Sequence, residues 1–196
     1  MLKIYKDTEK VLHEKCIDIP MPLDKEYIDL GKQMIQHLKE SQDDEFAAAH
    51  DIRAGVGLAA PQIGKAIKMF AIYLDDTDGK HYEYVLVNPR LKSISAKKCY
   101  LRGGEGCLSV DGVHKGLVER PYRIKMAAYD ILQGKDVVVE AKGYLAIALQ
   151  HEFDHLNGIL FYDHFNPIDP MRVSEGSVEI LSLIHISEPT RLLSIS

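Results

Sequence analysis

The sequence has no long apolar run, little excess charge and few cysteines, and each of these absences excludes a class of protein. No run of apolar residues approaches the roughly 20 that cross a bilayer, and the first seven residues, MLKIYKD, hold no signal-peptide core. The net charge of −5 gives no general electrostatic reason to expect nucleic acid as a partner. We therefore expect a soluble, cytoplasmic protein that binds neither membranes nor nucleic acid.

The three cysteines are too few and too widely spaced to form a disulfide framework. Cys16, Cys99 and Cys107 are odd in number and follow no export signal, so each is a small hydrophobe, a metal ligand or a nucleophile. The chain also lacks internal repeats and any linker rich in Gly, Pro or Ser. Its 196 residues, 46% of them hydrophobic, are enough for one domain with a sizeable core.

The sequence predicts helices towards the two ends and strands in the middle. Apolar residues recur at helical spacing from Asp24 to Glu40, which predicts an N-terminal amphipathic helix, and residues 41–51 suggest a surface loop with a short helix. Runs of β-branched and aromatic residues predict strands at 68–74, 82–88, 117–119, 123–129 and 136–140. Pro89 should end the second strand or introduce a bulge. This order indicates an α+β fold with mostly antiparallel β-sheets.

The motif H-E-x-x-H occurs at His151-Glu-Phe-Asp-His155, after an apolar, helix-compatible stretch at residues 144–149. Positions four apart lie one turn apart on the same helix face, so the two imidazoles can bind one metal ion. Glu152 then lies close enough to meet a water at the metal without being a ligand, as metal-assisted hydrolysis requires. We expect the sheets to pack around this central helix. A hydrogen-bonded core or surface role is the alternative for both histidines, and a third ligand would decide between them.

Cys107 is the first candidate for that third ligand. It lies among glycines that allow close approach, in Gly103-Gly-Glu-Gly-Cys-Leu-Ser109. A thiolate is a good ligand for zinc or ferrous iron, and one Cys with two His leaves a fourth tetrahedral position open. Considered alone, Cys107 would more often be a small buried residue. Together with H-E-x-x-H, the ligand role is favoured.

Two other kinds of active site use the same residues differently. A zincin-type metallopeptidase would take its third ligand downstream, where His164, Asp163 and Glu175 are available, and would not need Cys107. A Cys–His protease would use Cys107 as its nucleophile but leaves Glu152 and the paired histidines unexplained.

Three segments together resemble the signature motifs of the peptide deformylase family, in that family's order. They are Gly55-Val-Gly-Leu-Ala-Ala-Pro-Gln62, Glu105-Gly-Cys-Leu-Ser109 and Gln150-His-Glu-Phe-Asp-His155. The resemblance extends from the N-terminal segment to about Ile180. The longer segment at residues 41–53 is similar to the longer, Gram-positive-like class of these enzymes.

The resemblance implies a metal-dependent hydrolase that removes the N-formyl group from the formyl-methionine of newly synthesised polypeptides and releases formate. Cys107, His151 and His155 would be the ligands of Fe²⁺, with Zn²⁺ or Ni²⁺ able to substitute. N-formylmethionyl nascent peptides, and with them the ribosome exit region, are the expected partners. A non-catalytic relative that binds nascent chains would be expected to lack Glu152 or a ligand, and all four residues are present.

The resemblance also assigns roles around the metal. Glu152 would act as general base and then general acid, while the Gln62 side-chain amide and the Leu108 backbone N–H would stabilise the oxyanion. The family's substrate contacts correspond to residues on both sides of the cleft, and a structural arginine would pair with Glu105. The substrate residues are Val56, Gly57, Gly104, Glu105 and Ile147, and the structural arginine is Arg120.

The domain expected from this comparison covers residues 1–181 as a single catalytic unit. The last fifteen residues, 182–196, match nothing expected of the family and resemble translated cloning or sequencing-adapter sequence. We therefore expect them to be a non-native tail.

Overall fold

The computed structural model describes residues 2–181, which form three helices and two β-sheets. The helices are α1 (Lys25–Ser41), α2 (Asp44–His50) and α3 (Gly143–His155). The strands are β1 (Gly57–Ala59), β2 (Met69–Asp75), β3 (His81–Ile94), β4 (Lys98–Leu101), β5 (Arg120–Pro121), β6 (Arg123–Asp130), β7 (Lys135–Lys142) and β8 (Val178–Ile180). The predicted α+β class with mostly antiparallel sheets is confirmed. The expected non-native tail lies outside the described residues.

The larger sheet has the strand order β1-β2-β3-β6-β7, and every neighbouring pair is antiparallel. Successive side chains on a strand point to opposite faces, and β2 shows the consequence. Phe70 and Ile72 join the apolar cluster that includes α3, whereas Met69 and Ala71 join the cluster that includes α1. The sheet is therefore buried on both faces in this region, which explains why β2 is apolar almost throughout.

Helix α1 covers one face of the larger sheet through an apolar stripe. Met34, Ile35 and Leu38 are buried against β2 and β3, while Lys32, Gln33 and Gln36 on the other side of the helix are exposed. The acidic segment that follows forms α2, whose first turn is capped by the Asp43 side chain accepting from Phe46 N–H at 2.8 Å.

Helix α3 packs between the two sheets, contacting β1, β2, β6 and β7 of one and β4 and β5 of the other. Because it has sheet on more than one side, apolar residues surround it in its first half, with Leu145, Ile147 and Leu149 all buried. No helix within residues 2–181 is long and apolar enough to cross a membrane.

The smaller sheet, with order β5-β4-β8, differs from the sequence expectations. The strand predicted at 117–119 is wrong: the Leu117 N–H donates to the Pro170 carbonyl at 2.8 Å instead, and β5 begins only at Arg120. Strands β4 and β8 had no sequence prediction because they are short and pair in parallel across a large separation, Cys99 opposite Val178.

Pro89 produces a bulge rather than the end of its strand. Strand β3 continues to Ile94, and its register against β6 shifts between Val87 and Arg90. Asn88 takes a positive φ of 50° there, and its side-chain amide bonds to both the N–H and the carbonyl of Ile19 at 2.8 Å.

Candidate metal centre and cleft

Helix α3 places His151 and His155 on one face, one turn apart, with their ring centroids 5.1 Å from each other. His155 is almost fully buried, and His151 lines the open cleft beside it. Burial, with the charge of His151 as a second cause, lowers the pKa of His155 well below its usual value. A neutral imidazole keeps the lone pair that a metal ligand needs.

Cys107 approaches the two histidines from the loop between β4 and β5. Its Sγ lies 3.3 Å from His155 Nε2, and the ligand atoms of Cys107, His151 and His155 all lie within 4.8 Å of one another. Among residues 2–181, this is the one group of three or more His, Cys, Asp or Glu side chains that converges in this way. One sulfur and two imidazole nitrogens are a donor set that suits zinc or ferrous iron, so the residues present fit a metal ion.

Glu105 orients His151 from behind. Its Oε2 lies 2.8 Å from His151 Nδ1, and because an ionised carboxylate only accepts hydrogen bonds, Nδ1 carries the proton and Nε2 is left to bind a metal. Arg120 donates to both oxygens of the same carboxylate, through Nε at 2.6 Å and Nη2 at 2.9 Å. Burial would raise the pKa of Glu105, but the Arg120 guanidinium and the His151 N–H outweigh it and lower the pKa to about 2.

Arg120 also joins this pair to α3. Its Nη1 donates to Asp154 Oδ2 at 2.7 Å, and His164 Nε2 lies 2.7 Å from the same oxygen. His164 is therefore occupied on the far side of Asp154, and Asp163 caps a short 3₁₀ helix by accepting from the Leu160 N–H. The geometry gives no support to the downstream third ligand that a zincin would need.

Glu152 points into the cleft from the next position on α3. Its carboxylate is buried, and its Oε2 has no hydrogen-bond partner within residues 2–181. Burial raises the pKa of this carboxyl group to about 7. A buried carboxyl with a free oxygen and a pKa near neutrality is suited to taking up and releasing a proton at physiological pH.

The glycine motif gives Glu152 its space. Gly57 lies in β1 so close to α3 that a Cβ there would lie 2.2 Å from Glu152 Oε1 and 2.6 Å from its Cδ. Only glycine allows the strand and the carboxylate to be this close.

Gln62 follows β1 in a short 3₁₀ helix and is held at both ends of its amide. Its Oε1 accepts from the Ala59 N–H at 2.8 Å, and its Nε2 lies 3.2 Å from Ser109 Oγ and 3.4 Å from Cys107 Sγ. The Ser109 N–H also points at the sulfur, at 3.4 Å. Two N–H groups, from Gln62 and Ser109, therefore lie near Sγ, the atom of Cys107 that a metal ion would bind.

These residues surround a cavity of about 460 Å³. Its lining includes Gln62, Cys107, Leu108, His151 and Glu152 together with all five expected substrate residues, which are Val56, Gly57, Gly104, Glu105 and Ile147. Arg120 and His155 lie behind this lining.

Sequence reasoning missed two residues of the site. The motif that contains Ser109 predicts no role for it, although Ser109 contacts both Gln62 and Cys107. Arg53, which lines the cavity and donates to the Cys107 carbonyl, was not singled out at all. Arg53 lies two residues before the glycine motif, and nothing in the sequence there indicates the loop that it contacts.

The chain is similar to known deformylases in sequence and in structure. The sequence profile described as polypeptide deformylase matches residues 1–171. A peptide deformylase of Staphylococcus epidermidis is 46% identical over 181 residues, which cover 92% of this chain and 98% of that one. Peptide deformylase 2 of Geobacillus stearothermophilus is 42% identical over 180 residues, covering 92% and 97%. The crystal structure of a probable peptide deformylase from Synechococcus phage S-SSM7 superposes with a TM-score of 0.65 at 34% identity, covering 84% of this chain and all of that one.

Proposed function

The chain belongs to the peptide deformylase family and is a peptide deformylase, and we propose that it removes the formyl group from the N-terminal formyl-methionine of newly made polypeptides, releasing formate. The observation that carries this proposal is the convergence of Cys107, His151 and His155 beside a buried carboxyl group, Glu152, that has one oxygen free in an open cleft. Such a cleft suits hydrolysis of an amide, because it combines a metal site, a proton acceptor and room for a peptide end.

Cys107, His151 and His155 would hold the metal ion, which we propose is Fe²⁺, with Zn²⁺ or Ni²⁺ able to replace it. When bound there, a divalent ion supplies Lewis acidity towards the formyl oxygen and lowers the pKa of water into the neutral range. Glu105 and Arg120 contribute by fixing the His151 ring, so that its Nε2 faces the site before the ion arrives.

Glu152 would move the proton. Its carboxylate takes a proton from the attacking water and later gives it to the nitrogen of the departing methionine, which leaves as an amine. Burial supports both halves of this cycle, because it raises the pKa of Glu152 to about 7, so that neither the acid nor the carboxylate is strongly favoured near neutral pH.

Gln62 and Leu108 would stabilise the negative charge that develops on the formyl oxygen. Among residues 2–181 no group accepts a hydrogen bond from the Leu108 N–H, which leaves it free for a substrate. Gln62 Nε2 already lies 3.4 Å from Cys107 Sγ and 3.2 Å from Ser109 Oγ, so one of its two N–H groups would turn from these partners to the substrate. Removing a donor of this kind typically costs about 10²–10³ in kcat.

The peptide would bind as an added strand. Strand β1 is at the edge of the larger sheet, so the backbone of residues 55–58 can pair with an extended peptide on one side while residues 103–105 contact it on the other. The methionine side chain would enter the apolar part of the cavity, beside Val56, Ile147 and the ring of His151. We propose that residues 1–181 form the single catalytic domain. Residues 182–196, as a non-native tail, would take no part in the reaction.

This role places the enzyme in the cytoplasm, where formylated chains leave the ribosome, with the exit region as a further partner.

The experiment that tests the proposal is formate release from formyl-Met-Ala-Ser by anaerobically purified, iron-loaded protein. An acetyl-Met-Ala-Ser peptide serves as the substrate control. The Glu152→Gln variant serves as the matched protein control, because glutamine keeps the shape of the side chain but cannot take up the proton. We expect formate from the formyl peptide alone and a loss of about 10²–10⁴ in kcat in the variant at equal metal content. Absence of formate from folded, metal-loaded wild-type protein would overturn the proposal.

A further inference from the structure

Arg53 reaches from the rim of the cleft to the backbone of the loop that carries Cys107. It lies between α2 and β1, and its side chain is 54% exposed. Its Nη2 donates a short hydrogen bond to the Cys107 carbonyl oxygen. Its Nη1 lies 3.3 Å from the Val110 carbonyl oxygen and 3.5 Å from Asp111 Oδ1. The guanidinium therefore spans the loop from Cys107 to Asp111.

The Cys107 carbonyl and the Leu108 N–H are two ends of one planar peptide group. A donor held at the carbonyl fixes the plane of that group, and so fixes the direction in which the Leu108 N–H points. A charged donor also draws electron density towards the oxygen and makes the N–H at the other end a stronger donor. We propose that Arg53 is a positioning residue that orients and polarises the Leu108 N–H through the Cys107 carbonyl.

This inference rests on the proposed function, in which the Leu108 N–H stabilises the oxyanion. Arg53 is well suited to the task because it is always charged and presents its donors in a fixed fork. The Val110 N–H also donates to the Cys107 carbonyl, but at 3.3 Å and without charge. The Arg53 contact is therefore the stronger of the two.

Asp111 provides a matched control. It pairs with Arg53 and, at 2.7 Å, with Lys6 Nζ, which also lies 3.3 Å from the Leu108 carbonyl oxygen. An Asp111→Asn variant removes the ion pair at the rim but leaves the hydrogen bond from Arg53 to the Cys107 carbonyl. If Arg53 acted only through its ion pair, Asp111→Asn and Arg53→Ala would have the same effect.

The sequence allows a direct measurement on the peptide group itself. Cys107-Leu108 is the one Cys-Leu pair in the chain, so protein labelled with ¹³C at the Cys carbonyl and ¹⁵N in Leu gives a single cross-peak in a carbonyl-to-amide NMR spectrum. Zinc-loaded protein avoids paramagnetic broadening. We expect both the Cys107 ¹³C and the Leu108 ¹⁵N resonances to move upfield in Arg53→Ala, because a hydrogen bond to the carbonyl deshields both nuclei. The Asp111→Asn spectrum should stay close to that of the wild type.

The kinetic counterpart is a loss in kcat without a comparable change in KM. Complete loss of an oxyanion donor costs about 10²–10³, so a donor that is present but weakened and misdirected should cost about tenfold. Arg53→Lys, which keeps the charge but offers no fork, should fall between Arg53→Ala and the wild type. Added guanidinium at millimolar concentration should restore part of the kcat of Arg53→Ala, since the vacated site opens to solvent, and tetramethylammonium should not. Metal content should be equal in all variants.

An unmoved Cys107–Leu108 cross-peak in folded Arg53→Ala and Arg53→Lys would overturn the inference, as would equal losses of kcat in Arg53→Ala and Asp111→Asn. A rise in KM with unchanged kcat would also overturn it, because it would assign Arg53 to substrate binding. The NMR result does not depend on turnover. If the wild type released no formate, the proposed function would fail, while the cross-peak would still report whether Arg53 holds the peptide group.

Discussion

Replacing Gly57 with alanine should push the Glu152 carboxylate out of its place in the cleft. The new Cβ would lie 2.2 Å from Oε1, 2.6 Å from Cδ and 2.8 Å from Cγ of Glu152, distances at which one of the two residues has to move. Strand β1 is fully buried and paired with β2, so the carboxylate is the part that can move. The perturbation is therefore a small displacement of Glu152, the group proposed to transfer the proton, caused by a residue on the opposite side of the cleft.

The expected magnitudes follow from this geometry. Overpacking a buried site costs about 1–3 kcal/mol, and part of that is offset because alanine restricts the unfolded chain more than glycine does. We expect a net loss of about 1–2 kcal/mol in the free energy of unfolding, or a fall in Tm of about 2–8 °C for a chain of this size. A displacement of about 1 Å at a reacting group can cost about 10²-fold in rate, and kcat should fall accordingly while the metal remains bound.

The assay is a double-mutant cycle with Glu152→Ala, followed by urea unfolding and formate release. Shortening residue 152 removes all three atoms that the new Cβ would meet, so Gly57→Ala should cost little stability in that background. Gly106→Ala is the control for stability, because it lies in the same cleft with nothing within 4 Å of its Cβ position. Equal costs of Gly57→Ala in both backgrounds, or wild-type kcat in the single variant, would refute the reasoning.

Three further predictions concern the metal, the buried ion pair and a turn. Cys107→Ala should lose most of its bound metal while remaining folded; full metal stoichiometry after gel filtration would contradict the ligand role. The pKa of Glu105, about 2, lies below its ordinary value of 4.5, so the ionised carboxylate stabilises the folded state. This stabilisation is complete above about pH 5. About 3 kcal/mol of the free energy of unfolding is lost as the pH falls to 2. In urea unfolding of metal-free protein, the free energy of unfolding should therefore depend less on pH in Glu105→Gln than in the wild type. The same pH dependence in both proteins would show that the Glu105–Arg120 pair does not contribute to stability. Gly158→Ala should destabilise the protein by about 2–4 kcal/mol, because φ is +72° and the new Cβ would lie 2.6 Å from the His13 backbone. Gly134→Ala, with φ +65° and open space around the Cβ position, should cost only about 1 kcal/mol. Equal shifts in Tm for the two variants would rule out the clash at Gly158.

The parts of the fold that could be predicted are those that depend on local sequence. Strands β2, β3, β6 and β7 have runs of β-branched and aromatic residues with turn residues between them, and those patterns act within one hairpin. The smaller sheet could not be predicted in the same way. Its strands have two to four residues, and β8 joins β4 from almost 80 residues away, so nothing in either segment indicates the other.

In the candidate site, too, some residues could be predicted from local sequence and others could not. Sequence alone offered Cys107, His164, Asp163 and Glu175 as third ligands beside the two histidines, and the motif resemblance favoured Cys107. The structure brings Cys107 to within 3.3 Å of His155 and leaves His164 bonded to Asp154, although the ligand roles themselves stay predictions. Arg53 and Ser109 could not be assigned from sequence, because their roles depend on which loop lies beside them.

The sequence by itself determined the relation between His151, Glu152 and His155, since helical geometry fixes how residues one and four positions apart are directed. It also placed Gly57 in a motif rich in small residues, Gly55 to Gln62. Only the tertiary structure decided what stands opposite these residues: Cys107 at the histidines, the Arg120–Glu105 pair behind His151, Gly57 against Glu152 and Arg53 at the Cys107 carbonyl. The physical reason is that helix periodicity acts over a few residues, whereas these contacts arise when α3 is buried between two sheets, and that burial is a property of the whole chain.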